Sequence, residues 1–454
     1  MSATSIAPEN SPAPRAAGVP LVAAWRPGRA LLVILAVALL LRLGLIASTP
    51  GFQPTYDGAD YQRVATALVS TGGYPPTTYA TPGTPSAFRP PAWPYALAGA
   101  YALAGPHAAA GRVLGALLGT LSVLLLALAA SELFGRRIGL LAAGATAVFP
   151  PLWFADTALL SESLFTACAL GLAWALLRAR RAERPRRWIA GAGVLCGLAV
   201  LTRSQGFVLL VPLVMAAWEL TPGGRGRSAG SAALAVTVAL AVLLPWTVRN
   251  FDAFGTLVPV STQSGYTLAG TYNSTAAAKG SYYGAARLPA RLPQLRGVLT
   301  EPGQDEAQLD RRLGTVARSF AAQHPRYDLD VARRNSLRLL TLGGLDQRWL
   351  TRLSNREMGI PRRLDQLLSL AVALEFALAL AGAVVLVRRL PGTPGWRGPA
   401  WWWAIPVLLW GSTVIVSGAP RYRVVVDPFV LVLVGVAISW WFVRRTGRPR
   451  LEVA

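Results

Sequence analysis

The chain is poor in the residues from which most catalytic and metal-binding motifs are built. It has two cysteines, Cys168 and Cys196, both inside apolar runs, which argues against a disulfide framework and a cysteine metal cluster. Its two histidines, His107 and His324, are too few for most histidine-based metal centres. Neither a P-loop nor an HExxH pattern occurs, and no repeat with a period of roughly 20–50 residues is visible. Charge is scarce as well, at 14% of residues, and uneven: 21 acids against 44 bases, of which all but Lys279 are arginine. The net charge of +23 invites a nucleic-acid reading, but the arginines cluster at the ends of apolar runs. There they act as topology determinants and contacts for anionic headgroups, so no nucleic-acid partner is expected.

What is abundant is hydrocarbon. Of 454 residues, 53% are hydrophobic. Apolar runs recur that are long enough to cross a core of about 30 Å. Spans are expected at about 30–48, 109–133, 138–155, 159–179, 188–203, 205–221, 229–248, 365–387, 400–417 and 424–443. The fold class is therefore an all-α polytopic membrane protein with about ten transmembrane helices. The weak place is 188–221, where two short spans meet at Arg203-Ser204-Gln205-Gly206.

Five units follow. Residues 1–28, rich in Ala, Pro and Ser, read as a disordered cytoplasmic tail. Residues 29–248 form an N-terminal membrane module, including a first outer loop, 49–105, with juxtamembrane helices. Residues 249–364 form a second outer segment, within which 326–342 has an amphipathic pattern. Residues 365–443 carry the last spans and 444–454 a cytoplasmic tail. Arg136-Arg137, the Arg178–Arg187 cluster, Arg225/Arg227, Arg388/Arg389/Arg397 and Arg444–Arg450 all fall on one side. That places both termini in the cytoplasm and both long segments outside. Trp401-Trp402-Trp403 and Trp440-Trp441 sit at span ends, as interfacial belts do.

Against this background the outer acids need a reason. Asp57 and Asp60, in Tyr-Asp-Gly-Ala-Asp-Tyr, suit a helix N-cap before Tyr61, or a carboxylate that accepts a proton from a hydroxyl at the membrane surface. Glu162, in Ser-Glu-Ser, lies at the outer end of a span, as a hydrated interfacial group or facing a cavity. Arg42 and Glu375 fall within spans and mark functional positions by default, although Arg42 is near enough to an end to snorkel. Arg89, Arg203, Arg249, Arg421 and Arg423 lie on the side where arginine is disfavoured. Headgroup contact accounts for some of them. A bound phosphate accounts for the set, because guanidinium forks match its oxygens.

The ordered stretches Asp57-Gly58-Ala59-Asp60-Tyr61, Ala87-Phe88-Arg89-Pro90-Pro91, Leu160-Ser161-Glu162-Ser163-Leu164-Phe165, Leu201-Thr202-Arg203, Pro245-Trp246-Thr247-Val248-Arg249-Asn250, His324-Pro325 and Arg421-Tyr422-Arg423-Val424 give the chain a family likeness. It resembles the integral-membrane glycosyltransferases of the GT-C fold, specifically the protein-O-mannosyltransferase and aminoarabinose-transferase-like group. The resemblance implies a helix bundle, a catalytic Asp in the first outer loop, and a sugar donor carried on a polyprenyl phosphate. Relatives often read Asp-Glu with a Tyr a few residues on; here Gly58 replaces the Glu and Asp60 is a second acid. Asp57 keeps the family spacing to Tyr61, and Glu162 matches a second family acid.

The expectation is transfer of one sugar to an acceptor hydroxyl on a cell-envelope glycan, lipid or protein at the outer face of the plasma membrane. Asp57 is the expected base, with Asp60 or Glu162 orienting the acceptor. Arg89, Arg249, Arg421 and Arg423 are the expected phosphate ligands. A single displacement predicts inversion. No cofactor is required; a divalent metal, if used, would bridge Asp57 and Glu162. The rival reading is a flippase or transporter of a lipid-linked sugar, which also needs many helices and intramembrane charge.

Overall fold

The computed structural model describes residues 28–446 except 222, 279, 281–282, 344–347 and 389–397. The expected tails, apart from residues 28 and 444–446, lie outside this range, as does Lys279. All regular structure among the described residues is helical. In order the helices are α1 (Arg29–Ser48), α2 (Asp57–Thr71), α3 (Ala92–Ala104), α4 (Ala108–Phe134), α5 (Arg136–Val148), α6 (Pro150–Asp156), α7 (Glu162–Ala179), α8 (Pro185–Thr202), α9 (Leu210–Glu219) and α10 (Arg225–Phe254). They continue with α11 (Ser264–Thr271), α12 (Arg296–Leu299), α13 (Glu306–Gln323), α14 (Pro325–Leu339), α15 (Arg348–Glu357), α16 (Asp365–Arg388), α17 (Ala400–Val414) and α18 (Asp427–Thr446).

Among the described residues six helices are long and apolar enough to cross a membrane: α1, α4, α7, α10, α16 with the turn before it, and α18. The expected span 138–155 is two helices, α5 and α6, bent by 62°. Pro150-Pro151 explains the break, since a residue before proline is pushed out of the helical region and Phe149 is extended (φ −79°, ψ 109°). The segment 205–221 is a 3-10 turn, Ser204–Leu209, running into the short α9. α8 and α17 complete the ten apolar segments of the sequence.

α7 is the centre of the bundle, with 83% of its apolar window buried inside the protein. α4 and α8 pack on it, α1 and α5 pack on α4, and α10 packs on α8. α8 and α10 approach closely: a Cβ at Gly193 or Gly197 would lie 2.7 Å from the carbonyl oxygens of Ala235 and Ala239 respectively. Small residues permit such contact where lipid supplies no hydrophobic drive between helices. α18 bridges α16 and α5. Trp401 and Trp402 depart from the interfacial expectation: both are fully buried in the core, whereas Trp441 remains 44% exposed.

The first loop forms two helices, α2 and α3, packed on each other. The second long segment begins at Gly255, because α10 continues to Phe254. It has its own small core around Leu309, Leu313, Tyr327 and Val331, against which Ala80 of the first loop packs. The amphipathic stretch becomes α14, with Val331 and Leu339 buried and Leu329 at 74% exposure. These two long segments meet over the start of α7, and the charged side chains gather where they meet.

Candidate active site

Asp57 opens α2, and Asp60 stands one turn on, so both carboxylates sit at the positive end of the helix dipole. Tyr56, just before, has a left-handed φ of 48°, a conformation that is rare for a bulky residue and typical of functional sites. The other expected acid is set up in the same way. Leu159, at φ 58°, precedes Leu160-Ser161 and the first residue of α7, Glu162. Trp93 Nε1 donates to the Leu159 carbonyl at 3.0 Å and fixes that turn.

Arginines from three other segments close on these acids. Arg89 donates through Nη2 to Asp57 Oδ1 and through Nε to Asp60 Oδ2, each at 2.7 Å. Arg421, in the turn Pro420–Val425, donates to the second oxygen of Asp57 and to the Tyr422 hydroxyl. Its Nη1 lies 3.0 Å from Glu357 at the end of α15, and its Nε lies 4.0 Å from Glu162. Arg203, which ends α8, pairs with Glu162 at 2.9 Å and donates to Ser161 Oγ at 3.0 Å. Tyr61 donates to the same Ser161 hydroxyl at 3.2 Å, with Arg89 5.0 Å from its ring centre. Asp60 also accepts from Arg63 at 2.9 Å and from the Tyr79 hydroxyl at 3.1 Å. The result is a network of four carboxylates and four guanidinium groups in near balance.

The electrostatics separate two of the acids. Burial alone would raise the Asp57 carboxyl, but Arg89 and Arg421 outweigh it and hold the group well below the usual carboxylate range. Burial pushes Glu357 up to about 7, with Arg421 opposing and Asp57 and Glu162 adding to the rise. Both Glu162 oxygens, Arg203 Nε, and Nε and Nη1 of Arg421 are buried without a well-aligned hydrogen bond. Buried polar groups are normally satisfied, so these are atoms suited to a polar substrate.

Two of the expected phosphate ligands are elsewhere. Arg249 donates to the Ser86 carbonyl at 2.8 Å and lies 4.9 Å from the Trp246 ring centre, so it braces the Arg89 loop from behind. Arg423 pairs with Asp427 at 2.7 Å and bonds the Leu339 carbonyl. Asp427 and Arg423 are the electrostatic neighbours of Glu375, which gives that buried carboxylate its setting away from Asp57. Arg42 does not snorkel: it is 1% exposed and paired with Asp156 at 2.7 Å, on the far side of a small void that Glu162 also lines.

Three contributors escaped sequence reading. Glu357 lies in an arginine-rich amphipathic stretch that gives no hint of burial. Asp156 follows a double-proline break that pattern analysis treats as continuous helix. Glu306 opens α13 and accepts from the Thr77, Ser86 and Thr262 hydroxyls and the Ala87 N–H. It holds the backbone that aims Arg89; a polar residue at a helix start is too common a signal to reveal this.

As for a metal, no set of three His, Cys, Asp or Glu side chains suited to an ion occurs among the described residues. Asp57 and Glu162 are both engaged by arginine. A divalent ion bridging them would have to displace those cations, so the arrangement does not fit the expected bridge.

Residues 88–248, about a third of the chain, match the family described as dolichyl-phosphate-mannose-protein mannosyltransferase. The match contains Arg89, Glu162 and Arg203 and stops short of α2. The apo oligosaccharyltransferase of Archaeoglobus fulgidus superposes with a TM-score of 0.52 at 14% identity, covering 94% of this chain and 52% of that one. The oligosaccharyltransferase AglB of Archaeoglobus fulgidus in complex with an inhibitory peptide and a dolichol-phosphate gives 0.52 at 15% identity, covering 93% of this chain and 52% of that one. This is a GT-C fold. The resemblance read from the sequence therefore holds. A third structure, ArnT from Cupriavidus metallidurans bound to undecaprenyl phosphate, gives a TM-score of 0.39 at 16% identity, over 90% of this chain and 76% of that one. The chain spans about half the length of the archaeal structures it matches. No curated protein matches it by sequence.

Proposed function

We propose that the chain is an integral-membrane glycosyltransferase that moves one sugar from a polyprenyl-phosphate donor to an acceptor hydroxyl. The observation that carries this is Asp57 clamped between Arg89 and Arg421, each brought from a different segment of the chain. A carboxylate and two guanidinium groups at one point suit a reaction that removes a proton and expels a phosphate. The family match over residues 88–248 and the dolichol-phosphate complex of the similar archaeal protein support the donor class.

In this mechanism Asp57 accepts the acceptor's hydroxyl proton as the oxygen attacks the anomeric carbon. The bond from that carbon to the phosphate oxygen breaks, and its electron pair leaves with the polyprenyl phosphate. A single displacement inverts the centre. Arg421, Arg89 and Arg203 neutralise the leaving phosphate; Asp60 holds Arg89, and Glu162 orients the acceptor. Asp57 starts as a weak base because two cations stabilise its charged form. The donor phosphate competes for Arg421, so donor binding itself raises the basicity of Asp57. The reaction lies on the outer face, with both termini cytoplasmic, as the arginine distribution favours.

The test is reconstitution in proteoliposomes with a labelled sugar on polyprenyl phosphate, run beside the corresponding nucleotide sugar. Label should leave the lipid carrier only. Turnover of the nucleotide sugar would contradict the donor class, and lipid translocation without transfer would favour the transporter reading.

A further inference from the structure

Beside the ion network lies a larger, differently charged space. A cavity of about 690 Å³ opens between the second long segment and the start of α16. Tyr56, Arg287, Arg291, Arg352, Arg356 and Arg362 are among the residues that line it. Asp365 also lines it, but accepts a hydrogen bond from Asn355 at 2.7 Å. Among the described residues no carboxylate pairs with Arg291, Arg352, Arg356 or Arg362. This is the reverse of the Asp57 network, where every guanidinium has a carboxylate.

α15 separates the two. Arg352 and Arg356, four residues apart, share one face and line the cavity. Ser354 and Glu357 are buried on the other side, where Ser354 Oγ accepts the Arg421 N–H at 2.9 Å and Glu357 meets the Arg421 guanidinium. Tyr56, just before α2, makes the same partition, lining the cavity while Asp57 faces the arginines. The cavity thus adjoins the base without containing it.

We infer that this cavity binds the body of the acceptor, and that the acceptor is an acidic saccharide carrying phosphate or carboxylate groups. The inference rests on the transferase reading above. A volume of this size suits a small saccharide. The donor is not the natural occupant. Its single phosphate must meet the reacting carbon beside Asp57, and it carries too little charge to match Arg291, Arg352, Arg356 and Arg362 together. Guanidinium forks recognise several oxyanions together, and a neutral sugar would leave those charges unanswered.

The test uses the full chain in neutral phosphatidylcholine nanodiscs, with glucose 1,6-bisphosphate as probe and methyl glucoside as the neutral control. Calorimetric titration should show saturable binding of the bisphosphate alone, undisturbed by saturating polyprenyl phosphate. The exposed pair Arg352→Gln/Arg356→Gln should weaken it by about tenfold or more, with polyprenyl-phosphate affinity unchanged within about twofold. Absence of bisphosphate binding overturns the inference. Displacement by polyprenyl phosphate also overturns it, assigning the cavity to the donor. Loss of the signal when anionic lipid is added does so too, assigning the arginines to headgroups. If polyprenyl phosphate fails to bind the wild type, the transferase reading fails while the anion result still stands.

Discussion

At Asp57 two guanidinium groups outweigh the cost of burial, and this single balance sets both the charge of the residue and its reactivity. Its folded-state value lies below the ordinary 3.8, so its contribution to stability is present above that pH and is lost as pH falls below it. Glu357 behaves in the opposite sense. Its value rises from 4.5 to about 7, so its contribution is present below about 4.5 and is lost as pH rises through about 7. In the proposed mechanism a fully charged Glu357 competes, above that pH, with the donor phosphate for Arg421. Polyprenyl-phosphate affinity should therefore fall several-fold as pH rises from about 6 to 8, and Glu357→Gln should flatten the profile, as binding titrations across that range would show. The neighbouring Gly58 also finds its reason here. A Cβ at that position would lie 3.0 Å from the Ala158 carbonyl oxygen, so a side chain there would need the neighbouring backbone to shift by a few tenths of an ångström; Asp60 pairs with Arg89 instead. Asp57, Glu162, Arg89, Arg203 and Arg421 were legible because each sits in a short, ordered motif. Arg249 and Arg423 occupy equally good motifs, and sequence cannot tell a guanidinium facing a site from one bracing its wall.

At the scale of elements, the site depends on how α13 is joined to the first loop. The α13 N-terminus carries a capping box between Asp305 and Gln308, and the next residue, Glu306, collects four hydrogen bonds. Thr262 N–H donates back to the Ala87 carbonyl at 3.1 Å, and the Tyr74 hydroxyl to that of Arg89 at 2.6 Å. Glu306→Ala leaves the Thr77, Ser86 and Thr262 hydroxyls and the Ala87 N–H buried without that acceptor, at a cost of about 2–4 kcal/mol. It should lower Tm and reduce kcat about tenfold or more, because Arg89 loses its aim. Glu306→Gln, which keeps two of the contacts, should recover part of both. The helices themselves were legible from apolar runs, but not all of their breaks were. Hydropathy averages over Phe149-Pro150-Pro151, the break that delivers Asp156 to the interior, whereas the break at Arg203-Ser204-Gln205-Gly206 showed as the meeting of two short spans.

For the whole molecule, the Arg42–Asp156 pair ties α1 to α6 beneath the network. α4 passes so close that a Cβ at Gly119 would fall 2.0 Å from Asp156 Oδ2. Removing one partner strands a buried charge. Arg42→Ala should cost about 3–5 kcal/mol in unfolding from nanodiscs, and Arg42→Leu/Asp156→Leu considerably less. Gly119→Leu should be as damaging as the single variant, since neither Asp156 nor Arg42 can yield without breaking the pair. The membrane class was legible at this scale because burial in lipid leaves an unmistakable run of apolar residues. The meeting of α2, α7, α15 and the Pro420–Val425 turn was not. It joins residues up to 364 positions apart, which no local pattern encodes.

In the proposed mechanism Asp57 takes a proton between two arginines that serve the donor phosphate. The most direct test is sugar transfer from labelled polyprenyl-phosphate donor by wild-type protein and Asp57→Asn in the same proteoliposomes, with donor affinity measured alongside. The expected result is a loss of transfer by about 10²–10⁴-fold, with polyprenyl-phosphate affinity retained or increased because Arg89 and Arg421 are released. Transfer by Asp57→Asn at the wild-type rate would contradict the account.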